Sequence, residues 1–175
     1  MSQNRWDQLN IPHKGWNCDD VIDLREDGSS VDETNYATCQ MCGNEKIRYV
    51  HIMSHPNFSE CLEVGCFCAE KMSNDYIGPR QREKELKNRA NRRLNWLKRK
   101  WKISRQRGNP YLKLGDTHLL IFRKNTNPVS WGYKVGDHFG DGSYSSIDKA
   151  KLALFDAYEN EIKNSLLSLE DELVS

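Results

Sequence analysis

Several stretches of the chain alternate between apolar and polar residues with the period of a β-strand. The segment IRYVHIM (47–53) is followed by a turn at His55-Pro56-Asn57 and by Leu62-Glu63-Val64, which suits a return strand. This alternation, interrupted by a turn-forming proline, predicts a β-hairpin. Two later runs, at 117–123 and 131–135, are followed by a glycine-rich turn at 140–142 and predict a second pair of strands.

Two other stretches repeat their apolar residues at helical spacing. The first begins at Pro79, which suits the first turn of a helix, and is stopped by Gly108-Asn109-Pro110, so we expect a long helix over 79–107. Its apolar stripe consists of Leu86, Ala90, Leu94, Leu97 and Trp101. The second stretch, with Ile147, Ala150, Leu154, Tyr158 and Ile162 on one face, predicts an acidic C-terminal helix.

Cysteine is concentrated in the segment that contains the predicted hairpin. Five of the six cysteines lie between residues 39 and 68, with a CxxCG at Cys39 and Cys42 and a CxC at Cys66 and Cys68. Two close cysteine pairs joined by a hairpin favour a tetrahedral zinc ion over disulfides in a reducing compartment. We therefore predict a closed structural Zn²⁺ site at Cys39, Cys42, Cys66 and Cys68. Because CxC is tighter than the usual CxxC, one of its members could be replaced by Cys61, His51 or His55.

The motifs around these cysteines also carry a family resemblance. CQMCG (39–43), IRYVH (47–51) and VGCFCA (64–69) resemble those of a group of small bacterial and phage zinc-ribbon proteins, mostly of unassigned function. The similarity covers roughly residues 39–107 and implies zinc but no reaction. In ribbons of that type the residue matching Cys68 is the expected late ligand, whereas the residue matching Cys66 need not be cysteine.

These elements together predict an α+β protein in four parts. They are an acidic, tryptophan-containing and irregular N-terminal arm (1–38), a zinc-ribbon or treble-clef-like module (39–78), a long basic amphipathic helix (79–108), and a β-β-α unit with an acidic C-terminal helix (109–175). The arm is expected to pack on the body through Trp6 and Trp16. No apolar run approaches the length of a membrane span and the N-terminus lacks a secretory pattern, so we expect a cytoplasmic protein.

Positive charge is strongly segregated along the chain, although the formal net charge is only +1. The stretch from Arg80 to Arg107 contains thirteen Lys and Arg but two acids, Glu83 and Glu85. Such a segment can neutralise several phosphates, and we expect it to bind DNA or RNA with little sequence preference. The expected contacts on the far side of the helix are Arg89, Arg92, Arg93, Trp96, Arg99 and Lys100, with Trp96 stacking on an unpaired base.

Two other functions remain open on the sequence alone. The basic helix could dock on an acidic protein surface, which would make the protein an interaction adaptor. A metal-dependent hydrolase or nuclease using His118, Asp137, His138 and Asp141 is less favoured, because these residues show no recognised catalytic spacing. We therefore expect no enzymatic activity.

Overall fold

The computed structural model describes residues 4–25 and 30–174, with side chains as far as residue 165 except that of residue 163. Within these residues the fold is mixed α+β, with three α-helices and two antiparallel sheets. The chain divides into two compact units, residues 1–92 (unit 1) and residues 93–175 (unit 2). Each unit contains its own hydrophobic core.

Unit 1 is built on a three-stranded antiparallel sheet with β2 in the centre. Its strands are β1 (Asn17–Asp23), β2 (Tyr49–His55) and β3 (Phe58–Val64). The helix α1 (Cys66–Ser73) follows β3 immediately, and α2 (Gly78–Trp96) begins after a short turn. The hairpin expected from alternation is confirmed as β2 and β3, which pair in antiparallel register.

The expectation of a wholly irregular N-terminal arm is wrong, because β1 lies within it. β1 is polar and acidic, which hides it from a hydrophobic pattern, but it pairs with β2 from Asn17 to Asp23. A buried tryptophan fixes the chain just before it. Trp16 is 2% exposed, donates its indole N–H to the carbonyl oxygen of Pro12 at 2.7 Å, and packs against the rings of His55 and Phe58. Part of the acidic stretch, residues 26–29, lies outside the described residues.

The long helix is shorter than its charge pattern predicts. α2 ends at Trp96, and two backbone N–H groups just beyond it, those of Lys98 and Arg99, donate to the carbonyl oxygens three residues back, those of Asn95 and Trp96. Such bonds tighten and close a helix end. The chain then turns so that the ring of Trp101 meets that of Trp96 with 6.0 Å between centroids. A helix extending to residue 107 is therefore corrected to Gly78–Trp96.

Unit 2 contains a five-stranded antiparallel sheet whose strands follow one another in chain order. They are β4 (Lys102–Ile103), β5 (Pro110–Leu114), β6 (Thr117–Thr126), β7 (Val129–Val135) and β8 (His138–Phe139), and α3 (Ile147–Val174) comes last. The predicted pair of strands and the final helix are confirmed as β6, β7 and α3. The sheet is larger than the expected pair, because β4 and β8 are two-residue strands without a periodic signal.

One face of the unit 2 sheet makes the core with α3. Leu119 and Ile121 of β6 and Val135 of β7 pack with Leu154 and Phe155 of α3, and each is at most 1% exposed. Because successive strand residues point to opposite faces, the residues between them lie on the other side of the sheet. We call that other side the open face.

Candidate metal centre and binding surface

A tight turn before β2 brings two of the predicted cysteine ligands together. The backbone N–H of Cys39 donates to the carbonyl of Asn44 at 2.7 Å, and that of Gly43 donates to the carbonyl of Cys39 at 2.7 Å. Gly43 has φ of 77°, a conformation that disfavours a side chain, so glycine allows the turn to close behind Cys42. The predicted cysteine turn is thus present in the fold.

The third member of this group comes from the first helical turn after the hairpin. The Sγ atoms of Cys39, Cys42 and Cys68 lie within 4.8 Å of one another, and we call this group the three-cysteine cluster. In a tetrahedral site with metal–sulfur bonds of about 2.3 Å the sulfurs would be ~3.8 Å apart, so a small contraction would bring them to bonding positions. The cluster could hold a metal ion.

The surroundings of the three-cysteine cluster stabilise a thiolate. The pKa of Cys39 is lowered, first because the side chain of Cys68 hydrogen-bonds to it and then because backbone N–H groups, including that of Gly65, point at its sulfur, although burial opposes them. The pKa of Cys68 is raised, first because its thiol hydrogen-bonds to the Cys39 sulfur and then because it is buried. Since the thiolate is the metal-binding form of cysteine, Cys39 is prepared for coordination.

Cys66, a predicted ligand of the same ion, lies in a different group. Its Sγ, a ring nitrogen of His51 and a carboxylate oxygen of Glu83 lie within 4.8 Å of one another, and we call them the histidine cluster. His51 is fully buried on β2, and its Nε2 lies 3.1 Å from Oε1 of Glu83 on α2. The four-cysteine set is therefore corrected to three, with Cys66 placed elsewhere.

The histidine cluster has polar neighbours on two sides. The thiol of Cys18 lies 3.7 Å from Nδ1 of His51, and the thiol of Cys66 lies 3.8 Å from Oε1 of Glu70. Burial lowers the pKa of His51, but Cys18 and Glu83 raise it by more, so the net shift is upward. Burial, and then the charges of Glu83 and Glu70, raise the pKa of Cys66 to about 12.

The two clusters open onto one surface cavity of about 320 Å³ in unit 1. The cavity wall includes all three members of the three-cysteine cluster together with Cys66 and Glu83. Polar side chains of Lys46, Arg48 and Tyr49 complete the opening. An ion held in this region would therefore have access to water or to a small ligand.

The other candidate metal ligands lie outside both clusters. Cys61 is exposed on β3, and His55 packs on the indole of Trp16, with its Nδ1 accepting the backbone N–H of Asn57 at 3.0 Å. Sequence reasoning weighed His51 as an alternative ligand but missed its partners Glu83 and Cys18. Neither residue lies in a local motif that points to His51, because each reaches it only through folding of the chain over more than thirty residues.

The predicted nucleic-acid contacts on α2 are dispersed by the fold. Trp96 is 3% exposed and packs against Phe155 and Tyr158 in the core of unit 2, so it is corrected from a base-stacking residue to a core residue. Arg93 pairs with Asp156, and the guanidinium of Arg99 lies 5.0 Å from the ring of Trp96. Arg89 is half-buried, whereas Arg92 and Lys100 are exposed. Arg89 and Arg92 belong to unit 1 and the others to unit 2.

Exposed positive charge continues beyond the end of α2 in unit 2. The segment 98–107, which we call the cationic segment, contains six Lys and Arg, and no acid occurs between Glu85 and Asp116. All six side chains are exposed: Lys98, Arg99, Lys100, Lys102, Arg105 and Arg107.

The cationic segment leads into the open face through Lys102. Directly paired residues of antiparallel strands share a face, and the registers of these strands join one residue from every strand into a single row. The row runs across the sheet as Lys102, Tyr111, Leu120, Lys134 and Phe139. It contains two lysines among two aromatic side chains and one aliphatic side chain, and all five are half-buried or exposed.

Further rings and lysines extend the open face on both sides of this row. His118 stacks on Tyr111 with 5.3 Å between centroids, and Phe122 meets Phe139 at 5.7 Å. Lys134 lies over the ring of Phe139 at 5.2 Å and pairs with Asp137, an acid at the margin.

The residues considered for hydrolysis lie outside both clusters. His118 stacks on Tyr111, and Asp137 pairs with Lys134. His118, Asp137, His138 and Asp141 are all exposed, and none belongs to either cluster.

Comparison with known proteins finds no relative of this chain. No family model, no curated protein and no solved structure matches it. No helix in the described part of the chain combines the length and apolar character needed to cross a bilayer. The fold and the site together describe a mixed α+β protein with a cysteine group that could hold a metal ion.

Proposed function

We propose that this protein is a zinc-binding accessory protein that binds single-stranded nucleic acid, DNA or RNA, through unit 2. Zn²⁺ is assigned to the three-cysteine cluster, because thiolates in a tetrahedral arrangement are its preferred protein ligands. A cysteine turn, a hairpin and a helix whose first turn supplies a further ligand make unit 1 treble-clef-like. The zinc ion has the role of a scaffold for this unit.

The observation that carries the nucleic-acid proposal is the row of lysines and rings across the open face. Bases stack on aromatic side chains without regard to sequence, and lysines beside the rings neutralise the phosphates that link those bases. Tyr111, Phe122 and Phe139 supply rings, while Lys102 and Lys113 supply charge on the same face. This surface replaces the helix, because Trp96 is buried and Arg93 has a carboxylate partner.

The choice of a single strand follows from where the rings lie. Paired bases are stacked inside a duplex, so rings on an open sheet can reach bases only when the strand is unpaired. The cationic segment continues the positive surface beyond the edge strand β4 and suits the backbone on either side of the stacked bases. Little base-specific recognition is expected, because few side chains of this face are bidentate hydrogen-bonding groups.

A fluorescence titration of labelled single-stranded DNA and RNA at several salt concentrations tests the proposal. We expect affinity to fall steeply with salt, with a slope of about 0.7 for each phosphate neutralised. Replacing Tyr111 and Phe139 together by alanine should weaken binding roughly 5- to 150-fold per stacked base, without changing the slope. Replacing Lys102 and Lys113 by glutamine should instead make the slope shallower.

The matched control is Lys149→Gln, which removes an exposed lysine from α3 on the opposite side of the sheet. It should leave both affinity and slope close to those of the parent protein. A flat salt dependence in the parent, or equal affinity in the Tyr111/Phe139 double variant, would contradict nucleic-acid binding by the open face. Binding of an acidic protein with no measurable nucleic-acid affinity would favour the adaptor function instead.

A further inference from the structure

The histidine cluster gathers three different metal-binding groups from three separate elements of unit 1. His51 comes from the central strand β2, Cys66 from the first residue of α1, and Glu83 from the second turn of α2. The His51 side chain is fully buried and that of Glu83 is 26% exposed. Their ligand atoms and the Cys66 sulfur all lie within 4.8 Å of one another.

We infer that His51, Cys66 and Glu83 form a second metal site, distinct from the three-cysteine cluster, for a zinc-type divalent ion with an open coordination position. Imidazole nitrogen, thiolate sulfur and carboxylate oxygen are the three donor types that Zn²⁺ accepts in proteins. Three protein ligands leave a fourth tetrahedral position. Cys66 and Glu83 line the cavity, so that position can be filled by water or by a small ligand.

The groups around the cluster match what a metal-bound histidine requires. With Nε2 directed at the ion, Nδ1 carries the proton, and the Cys18 sulfur lies 3.7 Å away as its acceptor. Metal-binding histidines are regularly oriented by an acceptor at the second ring nitrogen. Cys18 is therefore a positioning residue, whereas Cys66 and Glu83 bind the ion directly.

A second carboxylate lies beside the Cys66 ligand. Glu70 is 2% exposed, its Oε1 lies 3.8 Å from the Cys66 sulfur, and its charge is paired with Arg80. Arg80 satisfies Glu70, so Glu83 is the carboxylate that remains for the ion. The carboxylates of Glu83 and Glu70 near the Cys66 sulfur make this region suited to a divalent cation.

A simple His–Glu ion pair would account for only part of this arrangement. The 3.1 Å contact between His51 and Glu83 needs no thiol, yet the Cys66 sulfur lies in range of both partners. Cys66 also lines the cavity, and an ion pair between His51 and Glu83 alone would not require this. The position of Cys66 is what distinguishes a metal site from a buried pair.

Native mass spectrometry of the full-length protein, equilibrated with zinc alone, tests the inference by counting bound ions. We expect two zinc ions per chain in the parent and one in Cys66→Ser or Glu83→Gln. Cys18→Ala should still bind two, with the second ion held about 10- to 100-fold more weakly in a chelator competition, as for the loss of an outer-shell partner. Cys61→Ser, which changes an exposed cysteine in neither cluster, should match the parent.

The variants separate this inference from the proposed zinc scaffold. One ion in the parent that is kept by Cys66→Ser and Glu83→Gln but lost in Cys68→Ser would overturn the second site and leave the scaffold intact. One ion in the parent that is lost in Glu83→Gln but kept in Cys68→Ser would overturn the zinc scaffold and leave the second site intact. Glu83→Gln retains the size of the side chain and its hydrogen bond to His51, so it gives an answer even if Cys66→Ser fails to fold.

Cobalt substitution provides an independent readout. A thiolate–cobalt bond absorbs by charge transfer, so Co²⁺ loaded into Cys68→Ser should still show a band from Cys66 that is absent in the Cys66→Ser, Cys68→Ser double variant. Equal spectra for these two proteins would overturn the inference.

Discussion

Cys66 and Cys68 lie two residues apart in the first turn of α1, and their sulfur atoms belong to different clusters. Side chains advance by about 100° per residue around an α-helix, so two positions differ by about 200° and point in nearly opposite directions. When a CxC pair lies in the first turn of a helix, its two sulfur atoms therefore point to different sites. This division sends Cys68 to the cysteine turn and Cys66 to the histidine cluster.

Removing Cys68 should empty the three-cysteine cluster. On the proposed zinc assignment, we expect Cys68→Ser to lose one zinc ion per chain and to lower the thermal stability of unit 1, because structural zinc contributes about 10–16 kcal/mol of binding free energy in small zinc modules. Zinc content and a melting curve check this. Cys61→Ser is the control, and an unchanged zinc content in Cys68→Ser would contradict the assignment.

Trp96 should act as a core residue of unit 2. Trp96→Ala is expected to reduce the free energy of unfolding by about 3–5 kcal/mol, because it leaves a cavity among Trp101, Phe155 and Tyr158. Leu94→Ala is the matched control. Leu94 belongs to the predicted apolar stripe but is 56% exposed, so its loss should change stability by less than about 0.5 kcal/mol. Similar denaturation midpoints for both variants would contradict this placement.

The stability of unit 1 should fall at low pH, because an ion pair between Arg48 and Asp23 loses its contribution there. Arg48 donates two hydrogen bonds to Asp23, at 2.7 and 2.8 Å. Burial raises the pKa of Asp23, but these bonds, a backbone bond from Arg25 and both positive charges lower it to below its ordinary value of 3.8. The stabilisation is therefore fully present above the unfolded pKa and is lost as pH falls through the lower, folded pKa.

Asp23→Asn should remove that acid dependence. We expect it to lower the free energy of unfolding at neutral pH by about 1–3 kcal/mol, with a smaller difference from the parent in strong acid. Denaturant titrations at several pH values measure the difference. Asp32→Asn, at an exposed position of unit 1, is the control. A difference that stays constant as pH falls below the ordinary Asp range would contradict the role of the pair.

The ring of Phe122 should leave no room for a side chain at residue 132, which is glycine. An added Cβ at residue 132 would lie 2.7 Å from Cζ of Phe122, so the ring would have to leave its position across the sheet. We expect Gly132→Ala to cost about 1–3 kcal/mol of stability, as overpacking does. In a Phe122→Ala background the same change should cost much less, and a double-mutant cycle measures this coupling. Additive effects would show that the ring does not restrict residue 132.

The local pattern determined most of the regular elements. Alternation at 47–53, 117–123 and 131–135 corresponds to β2, β6 and β7, and the helical spacing after residue 147 corresponds to α3. These predictions succeed because each element buries one face in a core, so its apolar residues recur at a regular spacing along the sequence. The short strands β4 and β8 and the acidic edge strand β1 bury too few apolar side chains to leave such a period.

The cysteine spacing by itself indicated a region that could hold a metal ion and two members of its three-cysteine cluster, Cys39 and Cys42, because a CxxCG turn is a local structure. The spacing left Cys66 and Cys68 equivalent and the resemblance favoured Cys68, but the tertiary structure places Cys68 beside the turn, since that choice depends on the direction of α1 relative to the turn. It also brought Glu83 and Cys18 to His51, and it placed Trp96 inside unit 2 rather than among the exposed arginines. Charge and spacing are properties of the chain, whereas burial and proximity arise only when distant segments pack together.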